Sequence, residues 1–120
     1  PDLKLIGTAW SAPEWMKTNG YFVGGSLRED CYEVYAQYFI RYIQEMEEEG
    51  LYLHALSVQN EPLHGGNNPS MVMTAEEQAT FLGDYLLPAM RDAQVDYVKV
   101  ILYDHNADNI DYPTQVLADP

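Results

Sequence analysis

Basic residues are scarce in this chain of 120 residues: six lysines and arginines stand against 19 aspartates and glutamates, for a formal net charge of −13. Nucleic-acid binding needs clustered Lys and Arg to neutralise phosphates, so the balance argues strongly against a nucleic-acid partner. It argues equally against electrostatic attraction to an anionic membrane surface. The acidity itself is that of a solvated, soluble surface. Cysteine is scarcer still. The single Cys31 rules out an intrachain disulfide and carries no compartment signal. It falls in the first turn of a predicted helix, where a thiol pKa can be lowered, but an ordinary helix residue is the better reading. No apolar run reaches membrane-span length, and no signal peptide opens the chain. The chain begins at Pro1 without an initiator methionine, so its natural termini are expected to lie elsewhere. The three histidines, His54, His64 and His105, are scattered and lack zinc-site spacings, so no metal or other cofactor is expected.

Aromatic residues, by contrast, are plentiful: ten tyrosines and two tryptophans. That many polar-tipped rings cannot all be buried with their polar groups satisfied, so some are expected to line a cleft or an interface. Sugar rings suit such a cleft, because their C–H faces stack on aromatic planes. The alternative is that a larger parent domain covers several of the tyrosines.

Taken in order, the chain alternates strand and helix. Leu3 to Thr8 is a short apolar run broken by Gly7 and predicts a first strand. Pro13 suits the first turn of a short helix with Ser11 near its cap, and Asn19-Gly20 supplies a turn. Ser26 with Glu29 has capping-box spacing. From it a helix is predicted, with Tyr35, Tyr38, Phe39, Tyr42, Ile43 and Met46 as one apolar stripe and Gly50 just beyond its end. Leu51 to Val58 predicts the second strand, and the turn formers from His64 to Ser70 predict a flexible loop. Thr74 with Glu77 is a second capping box, opening a helix that Pro88 should kink or restart. Val98 to Tyr103 predicts the third strand, and Asp111 to Ala118 a further helix. Such alternation means parallel strands joined by right-handed crossovers. Three parallel strands have two open edges and one naked face. The expected fold is therefore α/β, a fragment of a (β/α)8 TIM barrel, with the remainder of the barrel needed to complete it.

The second strand ends in Ser57-Val-Gln-Asn-Glu-Pro62, and this stretch organises the rest. Asparagine and glutamate are poor strand residues, and Pro62 has no N–H to continue a ladder. Asn60 and Glu61 are thus presented at the C-terminal mouth of the strand, where α/β folds keep their ligand chemistry. A plain polar strand end would look the same in isolation. Its company is more telling: Trp10 follows the first strand, and Asp104-His105-Asn106 ends the third, all on one rim. These types fit glycoside chemistry. A glutamate of raised pKa protonates a leaving oxygen, an amide contacts the sugar 2-hydroxyl as positive charge develops, and an indole stacks under the ring.

Two blocks carry a resemblance: Leu5-Ile-Gly-Thr-Ala-Trp-Ser-Ala-Pro-Glu-Trp-Met-Lys-Thr-Asn-Gly20 and Val58-Gln-Asn-Glu-Pro62. Together they resemble glycoside hydrolase family 30, the glucosylceramidase-like enzymes, over essentially residues 1–120. The resemblance implies that these are barrel strands three to five of a partial catalytic domain. It makes Glu61 the general acid/base of a retaining double displacement, Asn60 the amide on the 2-hydroxyl and Trp10 a wall of the glycone subsite. Asp104 and His105 match polar cleft residues more loosely. The family's nucleophile, a glutamate at the end of strand seven, would lie outside this chain, so the fragment alone is expected to be inactive. Adjacent strands are about 4.8 Å apart, which leaves Asp104 close enough to Glu61 to serve as a nucleophile. Attack from opposite ring faces favours carboxylates across the barrel, and Asp104 is better read as an orienting group. The implied substrate is a carbohydrate or glycolipid with a β-glucosidic bond. A β-1,6-glucanase, a xylan-directed member of the family and a non-catalytic carbohydrate-binding fragment using Trp10, Trp15 and the tyrosines stay open as alternatives.

Overall fold

Three short parallel strands form one sheet in the order β1 (Leu5–Thr8), β2 (Leu53–Ser57), β3 (Lys99–Ile101). The computed structural model describes residues 3–105 and 109–118. Gly7 pairs with Leu56, which pairs with Val100, while Thr8 pairs with Ser57, which pairs with Ile101. Because strand side chains alternate between faces, Gly7, Leu56 and Val100 share one face of the sheet and Thr8, Ser57 and Ile101 the other. Tyr42 of the first helix sits against Gly7, so the former face is the one the helices cover. A Cβ on Gly7 would lie 3.0 Å from the Tyr42 hydroxyl, and the missing side chain is what lets the ring approach. The opposite face is bare: Ile6 and Thr8 are exposed there, and only the small Ala55 and Ser57 of the central strand are shaded by their neighbours. This is the pattern of a segment cut from a closed barrel, whose inward face other strands would cover.

The helices pack behind the sheet. α1 (Tyr32–Glu48) buries Tyr35, Ala36, Phe39, Ile40 and Ile43. Its predicted start at Ser26 is displaced to Tyr32, after a 3₁₀ turn over Glu29–Cys31. Ser26 is unavailable as a cap because its N–H is held by Thr18 Oγ1 (3.0 Å), its carbonyl accepts from Thr18 N (2.8 Å), and it bridges to Val72. The predicted stripe also needs correction. Tyr38 is 51% exposed and Tyr42 is partly exposed, since both lie toward the open edge beside β1. The helix ends as expected. Gly50, at φ 80°, donates to Glu47 O (2.9 Å) and Leu51 donates to Met46 O (2.9 Å), the paired bonds of a Schellman cap. Cys31 is buried, and burial pushes its thiol upward, followed by the nearby Asp30 charge. A lowered pKa is thereby replaced by its opposite.

α2 (Ala75–Thr80) opens on the predicted capping box: Glu77 N–H donates to Thr74 Oγ1 (3.1 Å), and Thr74 N–H to Glu77 Oε1 (2.8 Å). A wider π turn over Phe81–Leu86 follows, then α3 (Leu87–Asp92) with Pro88 in its first turn. Pro88 cannot donate to the carbonyl four residues back, and its ring would clash there. The i→i+5 bond from Leu87 N–H to Leu82 O takes the chain through a broader turn instead. The Ser11 cap is absent: its hydroxyl donates to Ala12 O, and Glu14–Met16 forms a 3₁₀ turn without a side-chain cap. α4 (Asp111–Ala118) closes the described chain, with the Tyr112 hydroxyl donating to Met73 O (2.6 Å).

Buried phenols give the fold a specific alkaline limit. Burial, reinforced by the charges of Glu77 and Glu29, pushes Tyr32 up to about 12. Tyr35 and Tyr112 are shifted upward too, chiefly by burial. In the unfolded chain all three ionise near about pH 10, so between there and pH 12 the unfolded state holds fewer protons. Their contribution to stability is full below the unfolded pKa and is lost as pH rises through the folded one. The tyrosinate absorbance contributed by these three phenols is therefore expected to rise in one cooperative step coincident with loss of helical circular dichroism. Smooth titration of all ten tyrosines near pH 10 with the helices intact would contradict this.

Candidate active site

The three strand ends meet on one rim. Beyond β1, Ala9 N–H donates to Ser57 O (3.1 Å) and Ala9 O accepts from Asn60 N–H (2.7 Å). Beyond β2, Asn60 forms a parallel bridge with Asp104, and Glu61 N–H donates to Asp104 O (2.8 Å). The ladder thus continues for a step past the strands and fixes Trp10, Asn60, Glu61 and Asp104 relative to one another. Gln59 completes the tie between the first two. Buried at 1% exposure, it donates through Nε2 to Trp10 O (2.7 Å) and to Asn60 O (3.1 Å).

Glu61 stands at the turn itself. Its φ is 41°, in the left-handed region that disfavours side chains with a Cβ, and Tyr103 near the end of β3 is at 49°. The Glu61 carbonyl accepts from His64 N–H (2.9 Å), which closes the turn. Its carboxylate is partly exposed and held on one side: Asn67 Nδ2 donates to Oε1 at 2.7 Å. The other oxygen, Oε2, lies 3.8 Å from His105 Nε2, beyond hydrogen-bond length but close enough for a charge on either group to be felt by the other. The His105 ring stacks on Tyr103 at a centroid distance of 5.7 Å and 15°. Asp104 Oδ2 is buried without a hydrogen-bond partner among the described residues. Asn106 lies outside the described residues.

Trp10 is 45% exposed, and Trp15 and Tyr21 are exposed on the segment that follows. That segment is laced to the loop after β2. Lys17, buried, donates from Nζ to Ser70 O (2.7 Å), Ser70 N–H donates to Phe22 O (2.9 Å), and Gly24 N–H donates to Ser70 Oγ (2.9 Å). Burial lowers the Lys17 ammonium pKa, partly offset by Glu14. Among the described residues no group of three or more metal-ligating side chains is arranged to hold an ion.

The sequence-level candidates Trp10, Asn60, Glu61, Asp104 and His105 therefore share one rim, as the strand alternation requires. Two residues passed over in the sequence hold that rim together. Gln59 shares the alternation of Ser57 on the inward face, a signal that a buried amide would follow. Asn67 sits in a run of turn formers that reads only as a flexible loop, and nothing in its spacing announces its contact with Glu61.

A family model of the glycosyl hydrolase family 30 TIM-barrel domain matches residues 1–120. The chain belongs to glycoside hydrolase family 30. Within that family it is similar to endo-1,6-beta-D-glucanase BGN16.3 of Trichoderma harzianum, 36% identical over 129 residues that cover 97% of this chain and 26% of the relative. The lysosomal acid glucosylceramidase of Mus musculus is 29% identical over 127 residues, covering 98% of this chain and 25% of the relative. Among solved structures, the endo-beta1,6-glucanase BT3312 superposes with a TM-score of 0.93 at 34% identity, covering 99% of this chain and 29% of that one. The chain thus spans about a quarter of the length of the curated family 30 relatives it matches, and it is a segment of the family's TIM barrel.

Proposed function

We propose that the protein to which this segment belongs hydrolyses β-glucosidic bonds by a retaining double displacement, with residues 1–120 as part of its catalytic domain and Glu61 as general acid and then general base. The observation that carries this reading is the placement of the Glu61 carboxylate. It stands at a strand mouth, on a backbone held by both neighbouring strand ends, with one oxygen engaged by Asn67 and the other facing His105. In the first step Glu61 gives its proton to the glycosidic oxygen as the nucleophilic carboxylate bonds the anomeric carbon and the bond to that oxygen breaks. In the second it takes a proton from the water that attacks the anomeric carbon and displaces the carboxylate. Asn60, one residue earlier on the same rim, contacts the sugar 2-hydroxyl, and Trp10 stacks under the glycone. Asp104 and His105 orient the substrate or the acid. Asp104 pairs with Asn60 in the ladder and so flanks Glu61 on its own side of the ring, which suits an orienting group better than a nucleophile. The nucleophilic carboxylate belongs across the barrel, outside these residues.

For the substrate, a β-1,6-linked glucan is the better reading. It is supported by the likeness to endo-1,6-glucanases, 36% identity to one relative and a TM-score of 0.93 at 34% identity to a solved structure, against 29–33% identity to the relatives named as glucosylceramidases. A glucosylceramide is the second reading, favoured by the glucosylceramidases among the relatives. Initial rates of the full-length enzyme on a β-1,6-glucan, on glucosylceramide in detergent and on xylan decide between them. The glucan is expected to be cleaved at least roughly tenfold faster in kcat/KM, the discrimination a few well-placed subsite contacts supply. Preference for glucosylceramide would overturn the choice.

A further inference from the structure

We propose that Asn67 is a positioning residue for the reaction: its side-chain amide, carried on the loop after β2, engages one oxygen of the Glu61 carboxylate and so determines which oxygen carries the transferable proton. The inference rests on the acid/base reading of Glu61. A carboxylate only accepts, and the Asn67 NH₂ only donates, so their contact at 2.7 Å has one polarity. When Glu61 is protonated, a proton on Oε1 would point at another donor. It therefore resides on Oε2. That oxygen is left for the reaction, because His105 Nε2 at 3.8 Å is too distant to bond it directly.

The loop is built to hold the amide there. Glu61 and His64 close a turn through His64 N–H to Glu61 O, and Ser70, three residues beyond Asn67, is fixed by Lys17, Phe22 and Gly24. Between them the chain passes Gly65, where a Cβ would lie 2.9 Å from Val72 Cγ2 and 3.6 Å from Gly24 Cα. A side chain at Gly65 would have to displace the Val72 methyl, while the Gly24 backbone of the other rim loop sits at ordinary contact distance.

The chemical effect has a definite sign. A donor to the carboxylate favours its ionised form, so Asn67 helps Glu61 to serve as base once the proton has left. Among the described residues, three other titratable residues flank Glu61: His105 at Oε2, Asp104 through its carbonyl on the Glu61 N–H, and His64 through its own backbone N–H on the Glu61 carbonyl. All three are unchanged in a substitution at position 67, so a difference between variants reports on the amide.

The test is the pH profile of kcat/KM for the full-length enzyme on an aryl β-glucoside with a poor leaving group, comparing wild type, Asn67→Ala and Asn67→Asp. The descending basic limb, which reports ionisation of the acid, is expected to move to higher pH by about one pH unit in Asn67→Ala. It should move further in Asn67→Asp, where a second carboxylate replaces the donor. Asn67 is partly exposed, so both variants are expected to keep the wild-type thermal midpoint. A merely structural residue would lower activity without ordering the two limbs in this way. A basic limb unmoved in both variants would overturn the proposal, while a Glu61→Gln enzyme that still discriminates leaving groups would leave the acid/base reading standing. If Glu61→Gln instead slows good and poor leaving groups equally, both readings fall together.

Discussion

Glu61→Gln in the complete enzyme is expected to slow glycosylation of substrates with poor leaving groups by roughly 10²–10⁴-fold, the usual worth of a positioned general acid. Glutamine keeps the shape and can still face Asn67, but it has no proton to give. Activated aryl glycosides leave without protonation and should be slowed far less in that step. Deglycosylation still lacks a base, so a glycosyl-enzyme should accumulate and appear as a burst of aryl leaving group. A small anion such as azide needs no activation, attacks from the vacated side and should restore turnover with a β-glycosyl azide as product. A structural glutamate predicts another pattern: all substrates slowed together, lower stability and no rescue. Equal losses on activated and unactivated substrates in a mutant that remains folded would sink the assignment.

Stability is expected to depend most sharply on Phe81. Its side chain is fully buried, and its ring centroid lies 5.5 Å from that of Tyr35, 5.8 Å from Tyr32 and 6.3 Å from Phe39. It is the ring by which the π turn joins α1. Phe81→Ala removes the apolar area and leaves a cavity between segments that cannot close up, for about 3–5 kcal/mol. Because whole domains are stable by only about 5–15 kcal/mol, the denaturant midpoint should fall by a large fraction of its value with little change in slope. Phe81→Leu, which keeps most of the volume, should cost markedly less. A loss below about 1 kcal/mol for the alanine variant would show that Phe81 is not central to the packing.

What the sequence reveals and conceals here divides along the range of the interaction. The strand order, the Thr74 cap, the Gly50 cap and the rim of Trp10, Asn60, Glu61 and Asp104 all follow from local pattern. Each depends on residues within a few positions or on the alternation of strand and helix along the chain. The start of α1 is not legible, because Ser26 is drawn off by Thr18 and Val72, partners 8 and 46 residues away. Tyr38 and Tyr42 fit a helical stripe equally well whether or not a neighbouring barrel unit covers them, and the period alone cannot tell the two cases apart. Asn67 is hidden for the opposite reason: it is near Glu61 in sequence, but its contact is made by a loop anchored at Ser70 by Lys17, Phe22 and Gly24, some 46 to 53 residues earlier in the chain.

The left-handed backbone at Glu61 has an energetic meaning of its own. A residue with a Cβ held at φ 41° costs on the order of 1–2 kcal/mol relative to glycine, and the same holds for Tyr103 at 49°. The rim is thus less stable than the same chain could make it, and the helical layer behind the sheet carries the difference. Selection for thermal robustness alone would favour glycine at these two positions and would erode the rim before it touched the core. If Glu61 is the proposed acid/base, stability and activity stand in opposition at that single residue.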